Sequence, residues 1–253
     1  MFLKPRLQKV GVQKIELKRI FLHKLLVKYS FPCFIILIFT ACDLENKPGD
    51  EQTVKKLPYI GHHDLEYSEV NGVQIIDTVH QSIRSFNYLN QDSLSVTNKS
   101  YANKIWIAEF FFVTCPTICP IMNIEMKRLQ NEIDEMGLSE KVQFLSFSID
   151  PDKDTPSALR SYKDRYCNNC NNCDFLTGDE EFTHRLGIES FKIFSGREEE
   201  AEGGYAHSGA FSMVDPSGYL RGVYNITGYD GSVNKNEYRR LKKELRILID
   251  SLK

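Results

Sequence analysis

The sequence predicts an α/β fold, because short apolar runs alternate with segments of helical periodicity. Residues 105–112 can form one buried strand, and the apolar residues after it recur at helical spacing. The turn sequence at 215–218, with a proline and a glycine, joins two further apolar runs. With 253 residues, 42% of them hydrophobic, the chain can bury one well-filled core.

The elements before the central strand are predicted to be short. Residues 59–79 contain apolar pieces around Asn71-Gly72, a pair typical of tight turns, and predict an irregular extension or a hairpin. Residues 86–97 predict two short strands around a polar turn. A strand or hairpin extension therefore precedes the main fold.

The elements after the central strand complete a recognisable order. A helix extends to about Met136, a strand follows at 142–149, and Asp154 or Thr155 is placed to cap a helix that has Pro156 in its first turn. The remaining predicted elements are a helix carrying Leu159, Tyr162 and Tyr166, a short helix through Phe182 and Leu186, a charged loop at 197–202, strands at 210–214 and 219–224, and a terminal helix with a stripe of Leu241, Leu245, Leu248 and Leu252. This order, β–α–β–α–β–β–α, is that of a thioredoxin-like sandwich with a mixed sheet.

The N-terminal 41 residues differ from the rest and predict a signal peptide. They hold eight of the 32 Lys and Arg residues and one of the 34 acidic residues, and they end in a short apolar run before Cys42. That run is shorter than the ~20 apolar residues of a membrane span. Residues 39–42 resemble a bacterial lipobox, with Phe where Leu is usual, which makes Cys42 the predicted lipid-bearing residue. An uncleaved anchor and an ordinary cleaved signal are the alternatives.

The domain organisation and the charge follow from that prediction. We expect a lipoprotein-type signal at 1–41, a flexible tether at 42–58 and one folded domain at 59–253, anchored to a membrane of the bacterial cell envelope and facing the periplasm or exterior. Without residues 1–41 the chain keeps 24 basic and 33 acidic residues, a formal net charge of −9. An acidic chain with no basic stripe is a poor binder of nucleic acid, so a nucleic-acid-binding function is excluded.

The strand at 105–112 leads to the residues with the clearest chemistry, Cys115 and Cys119. If the following helix starts near Pro116 or Thr117, both sulfurs lie at its positive end, which favours thiolate. Two such thiolates can close a disulfide or bind a soft metal. Zinc fits poorly because no second ligand pair follows at finger-like spacing. The alternative is a pair of buried structural cysteines.

His207 is the candidate third ligand. It is flanked by small residues and stands just before the strand at 210–214, which should neighbour the strand leading to Cys115. Two thiolates and one imidazole suit copper, both Cu(I) and Cu(II). Thioredoxin-like disulfide enzymes usually carry a cis-proline just before the strand that corresponds to 210–214, and this sequence has none there. The missing proline favours metal handling over general dithiol exchange.

Four sequence motifs resemble those of the SCO/SenC family of copper chaperones for cytochrome c oxidase assembly. Residues 112–120 are similar to its F-x-x-C-P-x-x-C-P and residues 148–156 to its S-x-D-P-x-x-D-T-P, while residues 175–178 and 207–218 complete the set. The resemblance implies a thioredoxin-like fold in which Cys115, Cys119 and His207 bind copper.

The resemblance also implies partners and a second duty. Copper would be delivered to the dinuclear copper centre (CuA) of oxidase subunit II, other copper donors are further candidate partners, and reduction of the target's cysteines is a related activity. Asp150 is implied to support the copper ligands or to contact the partner. Turn formation and helix capping are the alternative for Asp150 and Asp154.

Cys167, Cys170 and Cys173 depart from that family's pattern. They are spaced C-x₂-C-x₂-C and separated by asparagine pairs. A local disulfide with one free thiol, an accessory copper site and plain thiols are the three alternatives, whereas an iron–sulfur cluster would need a fourth ligand.

Two functions from different classes remain. The first is a membrane-tethered copper chaperone that binds one ion through Cys115, Cys119 and His207. The second is a thiol–disulfide reductase of exported proteins, in which Cys115 and Cys119 form the redox dithiol. A peroxide-reducing activity is disfavoured, because the two cysteines flank a proline and do not have the sequence surroundings of a peroxide-reactive cysteine.

Overall fold

The computed structural model describes residues 56–167, 170–201, 203–228 and 230–252. The predicted signal peptide at 1–41, Cys42 and most of the predicted tether at 42–58 lie outside the described residues and stay predictions. Within those residues, no helix combines the length and apolarity that crossing a membrane requires.

The described chain has the mixed α/β fold that the sequence predicts. The strands are β1 (His63–Val70), β2 (Val73–His80), β3 (Asn87–Asn90), β4 (Ser95–Thr97), β5 (Ile105–Phe111), β6 (Val142–Ser148), β7 (Cys173–Thr177), β8 (Ser195–Arg197), β9 (Tyr205–His207), β10 (Ala210–Val214) and β11 (Leu220–Asn225). The helices are α1 (Cys119–Glu135), α2 (Pro156–Tyr166), α3 (Glu180–Leu186) and α4 (Lys235–Asp250), with a 3₁₀ turn at Asn98–Tyr101 and a π turn at Gly187–Phe191.

A seven-stranded sheet in the order β11-β10-β5-β6-β7-β3-β4 organises the fold. Its three central strands, β5, β6 and β7, are parallel, and the flanking strands run antiparallel to their neighbours. The carboxyl ends of β5 and β6 therefore lie at the same edge of the sheet. The loops that follow them, 112–118 and 149–155, meet there.

The core is densest around β5 and β6, in which every residue is buried. Parallel strands covered on both faces are apolar along their length, which explains the continuous apolar run in the sequence. Phe110 and Phe147 stack with ring centroids 5.2 Å apart, and Phe191 packs against both rings. This packing gives the end of β5 a rigid base.

The N-terminal extension is a hairpin of β1 and β2, paired from His63↔His80 to Val70↔Val73. Asn71 and Gly72 both have positive φ, as the predicted tight turn requires. A second small hairpin, formed by β8 and β9, flanks the predicted charged loop and was not predicted.

The terminal helix is shorter than its apolar stripe suggested. Leu241, Leu245 and Leu248 are buried along α4, but the helix ends at Asp250 and Leu252 is 45% exposed. Leu252 was therefore wrongly included in the buried stripe, because it lies beyond the last turn.

Replacing Leu245 by alanine should lower the free energy of unfolding by about 2–5 kcal/mol, since a buried leucine leaves a cavity. Leu252→Ala is the matched control and should change it by less than about 0.5 kcal/mol. Urea unfolding of both variants measures the difference. Equal losses would contradict the packing of α4 described above.

Candidate metal centre

The loop after β5 is held in place by an aspartate from the loop after β6. The backbone N–H of Val113 donates to the two carboxylate oxygens of Asp154 at 3.1 and 3.3 Å, and the Ser148 hydroxyl donates to the same carboxylate at 2.6 Å. Burial raises the pKa of Asp154 to about 6. These bonds fix the backbone two residues before Cys115.

The same turn tests the predictions for Asp150 and for the helix cap. Thr155 caps α2 by accepting the N–H of Ala158, so the alternative cap, Asp154, was wrong. The backbone carbonyl of Asp150 accepts the N–H groups of Lys153 and Asp154, which is the predicted turn formation.

Helix α1 begins at Cys119, two or three residues later than the predicted start near Pro116 or Thr117. Pro120 occupies the second helical position, where a missing N–H leaves no bond unmade. Proline fits the first turn of a helix whether the helix starts before Pro116 or before Pro120, so the sequence alone did not separate the two starts. Only Cys119 belongs to the first turn, and Cys115 lies in the loop ahead of it.

His207 lies just before β10, the strand that pairs with β5 on the side away from β6. It ends β9, where it pairs with Ser195 of β8. The chain then enters β10, which pairs antiparallel with β5 through Ser212↔Ala108. This pairing returns the chain to the end of β5.

The structure brings the three predicted ligands together. The Nε2 atom of His207 lies 3.5 Å from the Cys115 sulfur and 3.3 Å from the Cys119 sulfur. All three donor atoms lie within 4.8 Å of one another, and all three side chains are buried. Cys115 is the more exposed of the two cysteines, at 7% against 1%. The Nδ1 atom of His207 is buried with no hydrogen-bond partner in the described part of the chain, so Nε2 is the nitrogen aimed at the sulfurs.

The two thiols differ in proton affinity. Hydrogen bonds from Cys119 and from His207 stabilise the Cys115 thiolate and hold its pKa well below the ordinary thiol value. Burial and the neighbouring Cys115 raise the pKa of Cys119. In the reduced protein the negative charge therefore resides on Cys115, and thiolate is the form that attacks disulfides and binds metals.

Glu109, inside β5, is a buried acid that the sequence analysis did not single out. Its Oε1 accepts the Ser146 hydroxyl at 2.7 Å, and its Oε2 has no partner among the described residues. Burial raises the pKa of Glu109 to about 7, and its charge is one of the smaller causes that raise the pKa of Cys119. The signal in the sequence was a single acid within an apolar strand.

Asp150 supports the strand that carries His207. The Tyr205 hydroxyl lies 3.4 Å from an Asp150 carboxylate oxygen and 3.3 Å from Glu180, and Glu180 forms a bidentate pair with Arg197 at 2.6 and 2.8 Å. Tyr205 belongs to β9 and Arg197 to β8. The network therefore ties both strands of this hairpin to the main fold.

Two glycines allow close approaches at the site. Gly203 has a φ of +88°, and a Cβ there would lie 2.7 Å from the Phe112 ring, which meets the His207 ring edge-on. Gly209 immediately precedes β10. A Cβ at Gly209 would overlap the side chain of Thr227.

The donor set defines what the site can do. Two thiolate sulfurs and one imidazole nitrogen are soft and borderline ligands, which suit copper better than calcium or magnesium. Among the described residues this group contains no carboxylate. In the absence of an ion the same two thiols can close a disulfide, so the geometry fits a copper site and a redox dithiol.

The second cysteine cluster lies elsewhere. Cys167 and Cys173 form a disulfide, and Cys170 is a buried free thiol. This arrangement matches the predicted local disulfide with one thiol left over. The three sulfurs lie within 4.8 Å of one another.

Comparison with known proteins gives a family match and related sequences. The family model described as SCO1/SenC matches residues 77–239. The chain is 33% identical over 167 residues to a protein from Bacillus subtilis (strain 168) named "SCO1 protein homolog", an alignment that covers 64% of this chain and 85% of the relative. It is 29% identical over 145 residues to a Stutzerimonas stutzeri protein named "Putative copper-binding protein", which covers 56% of this chain and 68% of the relative.

A solved structure of similar fold is that of BsSco, described as a member of the Sco family of cytochrome c oxidase assembly proteins in which a disulfide switch was identified. The TM-score is 0.56 at 28% identity, and the match covers 68% of this chain and 96% of that one. The predicted thioredoxin-like fold and family resemblance are thereby confirmed.

Gly203→Ala should destabilise the protein more than Gly204→Ala. Both glycines have positive φ, so both alanines carry backbone strain of about 1 kcal/mol, but only the Gly203 Cβ would clash with Phe112, adding about 1–3 kcal/mol. Urea unfolding of the two variants isolates the clash. Equal destabilisation would contradict the close packing of Gly203 on Phe112.

Glu109→Gln should stabilise the reduced, metal-free protein more at pH 8 than at pH 5. The folded-state pKa of about 7 is above the ordinary 4.5, so the contribution of Glu109 is fully favourable below about pH 4.5 and is lost as the pH rises through 7. Glutamine does not ionise, and the relative gain should approach about 3 kcal/mol. Urea unfolding at both pH values measures it. Glu135→Gln, at an exposed position of α1, is the control, and a pH-independent difference for Glu109→Gln would refute the buried ionisation.

Proposed function

Because this chain belongs to the SCO1/SenC family, we propose that it is a copper chaperone for cytochrome c oxidase assembly. Cys115, Cys119 and His207 are the copper ligands in this proposal. The observation that carries it is the convergence of two sulfurs and one imidazole nitrogen, within 4.8 Å of one another, at the end of β5.

The chemistry of the three side chains supports copper as the cargo. Cys115 already favours thiolate, and Nε2 of His207 is directed at both sulfurs. The Stutzerimonas stutzeri relative, whose name describes copper binding, supports the same ion. One ion bound by three protein ligands leaves a position at which a partner's ligand can attack.

The partner is cytochrome c oxidase, and the finer proposal is its subunit II, at the CuA centre. The description of BsSco as an oxidase assembly protein supports the general partner. Transfer proceeds by ligand exchange, in which a partner thiolate replaces one protein ligand at a time. It begins on the Cys115 side, because Cys115 is the more exposed sulfur.

We place the chaperone at a membrane of the bacterial cell envelope. The basic lead, the short apolar run and Cys42 support a lipid anchor, and the charged residues after Cys42 support a tether. The anchor would keep the folded domain near a membrane-bound oxidase and raise its effective concentration there.

A second candidate function is thiol–disulfide reduction. The thiolate character of Cys115 favours it, because Cys115 could attack a target disulfide while Cys119 resolves the mixed disulfide. The disulfide switch in BsSco supports redox activity of this kind.

His207→Ala separates the two functions. Full-length protein is purified in mild detergent and reduced, and its copper affinity is measured by competition with a chelator. Loss of one of three ligands should weaken copper binding by roughly a hundredfold or more. The reduction rate of a model disulfide should stay within about threefold, since both thiols remain and the hydrogen bond from Cys119, the larger cause of the low pKa of Cys115, is kept.

His62→Ala is the matched control, because His62 is exposed on the N-terminal extension. It should leave the copper affinity unchanged. Wild-type protein that binds no copper tightly, or His207→Ala that binds as tightly as wild type, would overturn the chaperone proposal and leave the reductase.

A further inference from the structure

The cysteine cluster of Cys167, Cys170 and Cys173 is a second sulfur site that the proposed copper delivery does not use. Cys167 follows α2, Cys173 opens β7, and Cys170 lies in the segment between them. All three side chains are at least 95% buried. Closing this segment with a disulfide needs only two cysteines, so the third sulfur requires an explanation of its own.

The three sulfurs are close enough to share one metal ion once the disulfide between Cys167 and Cys173 is open. Three ligands around an ion at a metal–sulfur distance of about 2.3 Å lie roughly 4 Å from one another in a trigonal arrangement. The three sulfurs here fall within 4.8 Å of one another. The Cα atoms of Cys167 and Cys173 are 7.5 Å apart, wider than the roughly 4.4–6.8 Å usual for a disulfide. Backbone spacing of this width lets the two sulfurs move apart toward the metal-bound spacing when the disulfide is reduced.

The donor set selects a soft ion. The group consists of sulfur alone among the described residues, with no histidine or carboxylate in it. The amide oxygen of Asn172 accepts the thiol hydrogen of Cys170 at 3.1 Å. The amide oxygen of Gln130 lies 3.1 Å from the Cys167 sulfur, which has a hydrogen to donate only when the disulfide is open. Three thiolates without a nitrogen ligand suit Cu(I).

The charges around the cluster suit an anionic complex. Lys163 donates to the backbone carbonyl of Cys173 at 2.7 Å. Burial raises the pKa of the Cys170 thiol to about 11, and the positive charges of Lys127 and Lys163 offset part of that cost of a buried negative charge. Cu(I) bound to three thiolates carries a net charge of −2, which two lysines can balance.

The two cysteine sites cannot share one ion. Cys115 follows the carboxyl end of β5, whereas Cys173 is the first residue of β7 and lies at the amino end of the parallel strands. Phe111 pairs with Ser148 of β6 and Cys173 pairs with Phe144, so four residues of β6, about 13 Å, separate the two levels.

We propose that Cys167, Cys170 and Cys173 form a second Cu(I) site when they are reduced, and that the disulfide between Cys167 and Cys173 closes it. Opening the site requires a dithiol reductant, which passes two electrons and two protons to the disulfide and becomes a disulfide itself. The three thiols then bind one Cu(I) and release three protons. The redox state of the cluster thus sets whether the chain carries one copper ion or two.

The test uses full-length protein in which the first site is removed by Cys115→Ala and Cys119→Ala. Copper bound by this variant is counted under anaerobic conditions against a competing Cu(I) chelator, after reduction and again after oxidation. We expect one additional Cu(I) per reduced chain and none after oxidation. X-ray absorption should show a first shell of three sulfurs.

The matched variant adds Cys167→Ser, Cys170→Ser and Cys173→Ser to the same background, so that Cys33 and Cys42 are common to both proteins. It should lose the additional Cu(I). Cys170→Ser alone, which keeps the disulfide pair, guards against misfolding and should lower the sulfur count to two. Equal Cu(I) uptake by the background and the triple-serine variant would overturn the site, as would uptake of Zn(II) in preference to Cu(I) or uptake insensitive to oxidation. Because the first site is absent, failure here leaves the chaperone proposal intact.

Discussion

The antiparallel pairing of β10 with β5 is the constraint on which the site depends. Its register sets Ser212 opposite Ala108, and continuing that register beyond the last pair would set His207 opposite Val113. A ligand 92 residues away in the chain is thereby delivered within two positions of Cys115. The buried packing of β5 and the Asp154 clamp on Val113 then hold the receiving end still, so that the distance between His207 and the sulfurs follows from sheet geometry.

The edge that carries the site is also where hydrogen bonding is least complete. Among the described residues, buried polar atoms without a hydrogen-bond partner include one carboxylate oxygen of Glu109 and the Nδ1 atom of His207. The hydroxyl of Ser195 is another, and the backbone of Ser195 lies opposite that of His207 in the β8–β9 hairpin. A fourth belongs to Thr227, against Gly209. An unpaired buried group lowers stability unless a bound ion or water satisfies it. The Asp150–Tyr205–Glu180 network ties the small hairpin of β8 and β9, which carries Ser195 and His207, to the main fold.

The sequence predicted the parts of the site that local patterns encode and missed those that depend on packing. The apolar strand before Cys115, the Asn71-Gly72 turn and the 215–218 turn all have short-range signals. The start of α1 was misplaced because Pro116 and Pro120 suit a first turn equally well. Asp154 was predicted as a possible helix cap, since its position before Pro156 fits one. In the structure its carboxylate is buried and accepts the backbone N–H of Val113 instead. The strands β8 and β9 were missed because three-residue strands have no periodicity to detect.

The position of the two cysteine groups explains how they can serve different purposes in one domain. The residues that resemble family motifs lie at the carboxyl edge of β5 and β6, where loops are free to vary around fixed strand ends. The three clustered cysteines lie where β7 begins, tied to β6 through the bond from Phe144 to the Asn172 carbonyl. The buried strands β5 and β6 lie between the two groups, and about 13 Å along β6 separates the level of Cys173 from the level at which β5 ends. Oxidation of Cys167 and Cys173 therefore changes how many sulfurs are available to metal at one end of the parallel strands, and it involves none of the three proposed copper ligands at the other end.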